Sequence, residues 1–310
     1  MKIGIDVMGG DYAPQKIIQG VLLALKNIPK NIDLVLFGKE DIISNELSGK
    51  TKAYHNISIV NCSEVIEMSE HPSKALKEKP DSSISKGFSY LENGKIDGFA
   101  SAGNTGAVFV GSFYKLKPID GVLRPCISAI LPKENGGVTI LLDVGANADC
   151  KPEVLSQFGL LGSLFAENVY NIKNPKIALL NLGEEESKGS LSIQNAYQMM
   201  KKSNKYHFIG NIEGSDLLNS IADVVVCDGF TGNIVLKQLE SFYKLLKKRN
   251  IEDSYFEKLN YENYGGTPIL GLNKPVIIGH GMSNEIAIKN MILLTRDTIN
   301  AHLSKKFKIS

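Results

Sequence analysis

The sequence predicts an α/β protein with a mostly parallel sheet and helices on both faces. Three observations carry this. Short apolar runs recur along the 310 residues, at 2–7, 34–37, 57–60, 138–144, 176–182, 206–210, 223–227 and 275–278. Stretches of helical spacing separate many of them, and alternation of this kind implies a parallel sheet. The turns that follow the runs are built of Gly, Asn, Asp and Ser. In such sheets ligands gather beyond the carboxyl ends of the strands, so these turns are where chemistry is expected.

Composition narrows the field. A hydrophobic fraction of 43% and a charged fraction of 22% belong to a soluble globular chain, and a net charge of +2 gives no signature of nucleic-acid binding. No leader pattern opens the chain at Met1, and no apolar run is long enough to span a bilayer. Cys62, Cys126, Cys150 and Cys227 are far apart and form no Cys-x-x-Cys pair, so a reduced cytoplasmic setting is expected, with no disulfide framework or zinc site.

In chain order, the first strand leads into Met8-Gly9-Gly10-Asp11, and Pro14 then opens a helix with Ile17, Ile18, Val21, Leu22 and Leu25 on one face. Residues 64–81 are polar and read as an excursion over a cleft, followed by a helix at 82–91. The run ending at Phe99-Ala100 meets Ser101-Ala102-Gly103-Asn104-Thr105-Gly106, and a helix continues to about Tyr114. Strand, small-residue turn and helix make the layout in which backbone N–H groups face an anion. Read purely as structure, the same turn joins a strand to a helix, with Asn104 or Thr105 as cap. Arg124-Pro125 precedes the apolar run at 126–131, and Pro152 opens a long helix containing Phe158, Leu161 and Phe165. A helix past Gly189 carries Tyr197 and Met200. After Asp228-Gly229-Phe230-Thr231-Gly232-Asn233 comes an amphipathic helix. Val235, Leu239, Phe242 and Leu246 form its stripe, and Lys237, Lys244, Lys247, Lys248 and Arg249 lie away from it. A turn at 261–266, a short strand at 268–272, the last strand and a helix ending near Leu303 complete the chain, read as a single domain over 1–310.

Several positions invite chemistry. Asp143 and Asp149 flank Gly145-Ala146-Asn147 and could orient a substrate or a lysine; alternatively Asp149 caps the helix ahead of Pro152. Glu184-Glu185-Glu186 could hold a metal, but three consecutive acids cannot all face one point, so at most one or two act together; the alternative is a solvated loop. Lys188 follows in a Gly-bounded turn, where a cation can hold phosphate or offset a developing oxyanion. His280 lies between two glycines after the last strand. Cys150 and Cys227 have no visible base partner and are read as buried thiols rather than nucleophiles.

Five motifs in register carry a resemblance. These are Asp6-Val7-Met8-Gly9-Gly10-Asp11, Ser101 to Ala107, Leu142-Asp143-Val144-Gly145-Ala146-Asn147, Asn181-Leu182-Gly183-Glu184-Glu185-Glu186, and Cys227 to Asn233. The chain resembles, over nearly its whole length, the phosphate acyltransferase family of bacterial phospholipid synthesis. The resemblance implies a fold like that of phosphotransacetylases and isopropylmalate dehydrogenases, and a homodimer. It implies transfer of a long-chain acyl group from acyl carrier protein to inorganic phosphate, with no redox cofactor and no metal. A partner acyltransferase would pass the acyl group on to glycerol 3-phosphate. On this reading Gly103, Asn104, Thr105, Gly106 and Arg124 bind phosphate. Lys188, Asn233 and His280 surround the carbonyl and the leaving thiolate, while Asp143, Asn147, Glu184 and Asp228 orient substrate. The family usually carries a longer insertion after the Asp228 motif, associated with dimer contacts and membrane docking. Here the helical segment at about 234–260 is shortened, and Ile251, Tyr255, Phe256 and Leu259 give it a thin apolar face. The expectation is a cytoplasmic protein with weak or transient contact at the inner membrane surface.

Three other readings compete. A short-chain phosphotransacetylase using coenzyme A would share the fold. A nicotinamide-dependent dehydrogenase would need a Gly-x-Gly-x-x-Gly after a strand with an acidic partner downstream, which the chain lacks. A non-catalytic scaffold could hold acyl carrier protein through the basic helix, and phosphate-dependent thiol release would separate it from an enzyme.

Overall fold

The strands form where the sequence is apolar on both faces, as buried parallel strands require. In the computed structural model, which describes residues 1–48 and 56–307, the elements alternate as expected. β1 (Lys2–Asp6), α1 (Gln15–Leu25), β2 (Asp33–Gly38), α2 (Glu40–Leu47) and β3 (Ile57–Asn61) open the chain. Next come α3 (Pro72–Glu78), α4 (Ser83–Glu92), β4 (Gly98–Ser101) and α5 (Thr105–Leu116). β5 (Cys126–Pro132), β6 (Val138–Leu142), α6 (Pro152–Val169), β7 (Lys176–Leu180), α7 (Leu191–Lys202), β8 (His207–Ile212), β9 (Val224–Val226) and α8 (Gly229–Lys248) follow. β10 (Thr267–Leu270), β11 (Val276–Ile278), α9 (Glu285–Ala301) and α10 (Leu303–Lys306) close it.

The chain divides into two compact units, Met1–Lys117 with Tyr261–Asn300, and Pro118–Asn260 with Ala301–Ser310. In the first, the strand order is β3-β2-β1-β4-β11-β10, parallel except for the β10–β11 pair. In the second it is β5-β6-β9-β7-β8, parallel except for β5–β6. The mostly parallel α/β class read from the sequence is what the structure has. Each antiparallel pair has a sequence reason: residues 133–137 and 271–275 are too short to carry a parallel crossover.

Both cores are apolar. Ile3, Ile5, Leu34, Leu36 and Phe99 are fully buried in the first unit; Ile140, Leu141, Ile177, Leu179 and Val225 are fully buried in the second. α1 buries Ile17, Ile18, Val21 and Leu25. Within residues 64–81, read as an excursion, lies the short helix α3, on which Ala75 is buried. Of the α8 stripe, Leu246 is buried, whereas Phe242 is exposed and stacks edge-on against Phe256. Among the described residues no helix is long and apolar enough to cross a membrane.

Candidate active site

In each unit a buried aspartate at a strand end organises the turns around it. In the first unit this is Asp6, at the end of β1. Its carboxylate accepts from the Ser101 hydroxyl at 2.7 Å and the Met8 N–H at 3.0 Å. Burial pushes the carboxyl above its ordinary range, and hydrogen bonds from Ser83, Ser101, Met8 and Gly9 pull it back. Gly9 must be glycine, because a Cβ there would stand 2.2 Å from Asp6 Oδ2 and 2.7 Å from the Gly103 Cα.

The predicted phosphate cradle sits beside this hub, and most of its polar capacity is taken up by protein. Asn104 is 6% exposed. Its Oδ1 accepts from the Ala107 N–H at 2.9 Å, capping α5. Its Nδ2 donates to the carbonyls of Glu67, Met68 and Glu70 at 3.1, 3.1 and 2.9 Å. At Gly106 a Cβ would meet Pro72 Cγ at 2.5 Å, so this glycine lets α3 pack against α5. With the Ala107 N–H taken by Asn104, an anion is left the exposed Thr105 and the N–H groups of Thr105 and Gly106 at the start of α5, which a helix cannot pair internally. His280 lies in the same unit. Its Nδ1 accepts from the Met282 N–H at 3.1 Å, and its ring rests against Tyr261 at 4.8 Å between centroids.

The second unit repeats the device at the end of β6. The fully buried Asp143 accepts from the N–H groups of Ile127, Ala146 and Asn147 at 3.0, 3.2 and 2.7 Å, and from Asn147 Nδ2 at 2.9 Å. Burial pushes its carboxyl up and these donors oppose the shift. The Asn147 amide reaches on to Pro125 O at 2.9 Å, and Asn147 O takes the Gly229 N–H at 2.7 Å. A Cβ at Gly232 would lie 1.9 Å from Asp143 O, so the start of α8 is seated directly on this loop. Asp228 caps α8, accepting from Thr231 N–H at 2.8 Å and Thr231 Oγ1 at 3.0 Å. That leaves Asn233 exposed on the next turn, its Oδ1 3.6 Å from where a Gly145 Cβ would stand. Arg124 is exposed and reaches Asp149 O at 3.5 Å.

Asp149 does not cap α6. The cap position is Lys151, two residues on, and its ammonium has no acceptor to offer the first-turn N–H groups. Lys188 is half-exposed, with Nζ 3.8 Å from Glu185 Oε1. The acidic run points several ways, as consecutive residues must: Glu186 turns to Tyr197, Gln198 and Lys201 on α7, which hold its carboxyl below the ordinary range. Ser192 at the start of α7 donates to Cys150 O at 2.9 Å, tying the Lys188 turn's helix to the Asp143 loop. The structure thus brings Asp143, Asn147, Asp228 and Asn233 into one loop cluster, with Arg124 beside its Asp149 end.

Burial pushes Cys150 up to about 12, and Cys126 and Cys227 well above the ordinary thiol value. Sequence reasoning missed Asn181, Gln194 and Asn211, whose amides hold the Lys188 turn by its carbonyls. For Asn181 the signal was its place at the head of the Asn-Leu-Gly-Glu motif; nothing in the sequence marked the other two.

The chain matches the profile described as fatty acid synthesis protein over residues 1–306. The phosphate acyltransferase of Dictyoglomus thermophilum is 44% identical over 326 residues, covering 99% of this chain and 96% of that one. The phosphate acyltransferase of Halothermothrix orenii is 41% identical over 323 residues, covering 98% and 96%. Among solved structures, a phosphotransacetylase from Streptococcus pyogenes superposes with a TM-score of 0.68 at 18% identity, covering 99% of this chain and 94% of that one. The EutD phosphotransacetylase from Staphylococcus aureus gives 0.65 at 16%, covering 96% and 94%. These last two are likenesses of fold. From the family match and the relatives' identity over nearly the whole chain, the protein belongs to the phosphate acyltransferase family of fatty acid synthesis proteins and is an enzyme, an acyltransferase.

Proposed function

We propose that the protein transfers a long-chain acyl group from the thioester of acyl carrier protein to inorganic phosphate. A phosphate oxygen attacks the thioester carbonyl, the carbon–sulfur bond breaks, and the carrier-protein thiolate leaves and takes a proton. The products are an acyl phosphate and free carrier protein. The observation that carries this reading is the match to phosphate acyltransferases over nearly the whole chain, and the buried thiols agree with it: burial raises Cys126, Cys150 and Cys227, which does not favour a thiolate that carries an acyl group. Phosphate itself is then the nucleophile, and the enzyme's part is positioning and charge.

In the second unit, Lys188 offsets the oxyanion, the Asn233 amide donates to the carbonyl oxygen, and the exposed Arg124 holds phosphate with its planar fork. Asp143, Asn147 and Asp228 act through the loops they hold, and Glu184 stands in the Lys188 turn. In the first unit, Thr105 and the start of α5 beside Gly103, Asn104 and Gly106 are candidates for phosphate, and His280 for the leaving thiolate. The working form is a homodimer that hands acyl phosphate to a glycerol 3-phosphate acyltransferase. Membrane contact is weak, because Tyr255 and Phe256 are spent on each other, on Phe242 and on Pro132 O. Lys244, Lys248 and Arg249 offer charge that salt screens.

The test is incubation with long-chain acyl carrier protein, with and without phosphate, read by mass spectrometry. Acyl phosphate formed only when phosphate is present supports the reading; carrier protein bound without thiol release would make the chain a scaffold. The phosphotransacetylase-like fold favours a second reading, a short-chain coenzyme A substrate, and an acetyl-coenzyme A arm separates the two.

A further inference from the structure

The turn carrying Lys188 is held in an unusual way. Turn carbonyls on a protein surface ordinarily bond water. Here side-chain amides take them one after another. Asn211 Nδ2 donates to Glu184 O at 3.4 Å and to Glu185 O at 3.1 Å. Gln194 Nε2 donates to Ser187 O at 2.8 Å and Gly189 O at 3.1 Å. Asn181 Nδ2 donates to Lys188 O at 3.1 Å. Each amide comes from a different element: Asn181 follows β7, Gln194 is on α7 and Asn211 is on β8.

Two glycines fit the turn to this frame. Gly189 has φ +85°, and a Cβ there would lie 2.5 Å from Asn181 Oδ1. Gly183 leaves its face open, and the Lys188 stem lies on it, with Cγ 2.9 Å from where a Cβ would stand. The lysine is aimed by the turn and by the surface under its stem. The Lys188 N–H itself closes onto Glu185 O, the same carbonyl that Asn211 holds.

Asn211 is placed by a distortion of its strand. The β7–β8 register shifts so that Ile177 faces Phe208 while Ala178 faces Gly210, leaving Ile209 extra, and Gly210 has φ +108°. A bulge of this kind re-aims the side chains beyond it. Asn211 is 8% exposed, and its Oδ1 is buried with no hydrogen-bond partner. An apolar side chain would avoid that orphaned acceptor. The residue keeps its donors on the turn at the expense of an unpaired oxygen, which points to function rather than stability.

We infer that Asn211 and Gln194, with Asn181, are positioning residues that hold the Glu184–Gly189 turn so that the Lys188 ammonium is delivered to the reacting carbonyl. This rests on the acyl-transfer reading above. They touch no substrate; they act through Lys188.

The test uses the full chain carrying Asn211→Asp, which keeps the shape and turns acceptors toward the two carbonyls, or Gln194→Ala on the half-buried side of α7. Acyl phosphate formation should lose roughly 10- to 100-fold in kcat for Asn211→Asp and about tenfold for Gln194→Ala, because displacement of a catalytic group by about 1 Å costs on that scale. KM for the carrier protein should stay within about twofold. In a Lys188→Ala background the same substitutions should change kcat by less than about twofold, since groups acting as one unit are not additive. A full additional loss in that background, or a lowered melting temperature with kcat intact, overturns the inference. Deuterium uptake of residues 183–189 is the arm that needs no turnover. Faster uptake in Asn211→Asp supports the part of the inference that the amide holds the turn, and unchanged uptake overturns it; wild-type protein that makes no acyl phosphate sinks the acyl-transfer reading, and with it the carbonyl as the target of Lys188, whatever the uptake shows.

Discussion

The stretch after β4 and the stretch after β9, Ser-Ala-Gly-Asn-Thr-Gly in one and Asp-Gly-Phe-Thr-Gly-Asn in the other, share two glycines, an asparagine and a threonine, and each leads into a helix beside a buried aspartate. They differ in where the asparagine falls. Asn104 is itself the cap of α5, buried, with its amide spent on three backbone carbonyls. In the second turn Asp228 does the capping, and Asn233 is carried onto the helix with its side chain exposed. An amide saturated by backbone contributes stability, whereas one held on a rigid helix and left open can be spent on a ligand. The same reasoning makes Lys188, framed but half-exposed, a candidate for chemistry.

The largest effect expected is at Lys188. Lys188→Ala should lower acyl phosphate formation by about two to three orders of magnitude, the scale of losing one oxyanion donor. Its melting temperature should stay close to wild type, since the side chain lies in a polar turn. Lys188→Arg should recover only part, because the fork differs in reach from an ammonium. A near-normal rate in well-folded Lys188→Ala would make Lys188 a surface lysine and shift the proposal to Arg124 and His280.

The two asparagines should then part ways. Asn233→Ala should cost about 10- to 100-fold in kcat with the fold unchanged. Asn104→Ala should destabilise by on the order of 2–3 kcal/mol in denaturant unfolding, from a lost cap and three carbonyls left without their donor. Equal stability losses in the two variants would erase the distinction drawn between the turns.

A smaller effect follows from the aspartates. Asp143→Asn leaves at least one buried N–H facing an amide donor, at about 1–3 kcal/mol. The wild-type carboxyl is raised by burial, so its ionised form opposes the fold. This penalty is absent below the unfolded value, near pH 4, and grows as pH rises through the folded value. The variant lacks that slope, so its stability deficit should be larger at about pH 4 than at about pH 7 in thermal melts. A deficit that widens toward neutrality would mean the carboxyl is lowered instead. The smallest effect concerns the thiol nearest the loop cluster's surface: Cys150→Ala should leave kcat within about twofold of wild type, where an acyl-cysteine mechanism requires its loss.

Much of this was legible in the chain. The strand runs are apolar on both faces, and the small-residue turns mark the carboxyl ends of many of them, so fold class and the location of the candidate residues could be read directly. The structural role of Asn104 could not, because its acceptors are carbonyls 34 to 37 residues away, and a backbone carbonyl carries no sequence signal. Helix α3 was hidden because a short helix with one buried side chain has almost no apolar period. The alternative that Asp149 caps α6 fails because the residue has the right chemistry at the wrong position, two residues before the cap. The amides under the Lys188 turn come together through strand order and a bulge, both tertiary facts.

The central claim is that phosphate attacks the thioester directly. It is tested most simply by the intact mass of the protein mixed with long-chain acyl carrier protein in the absence of phosphate. The account predicts an unchanged mass and no released carrier-protein thiol, with acyl phosphate and thiol appearing together once phosphate is added. An acyl adduct on the protein before phosphate is added would contradict it.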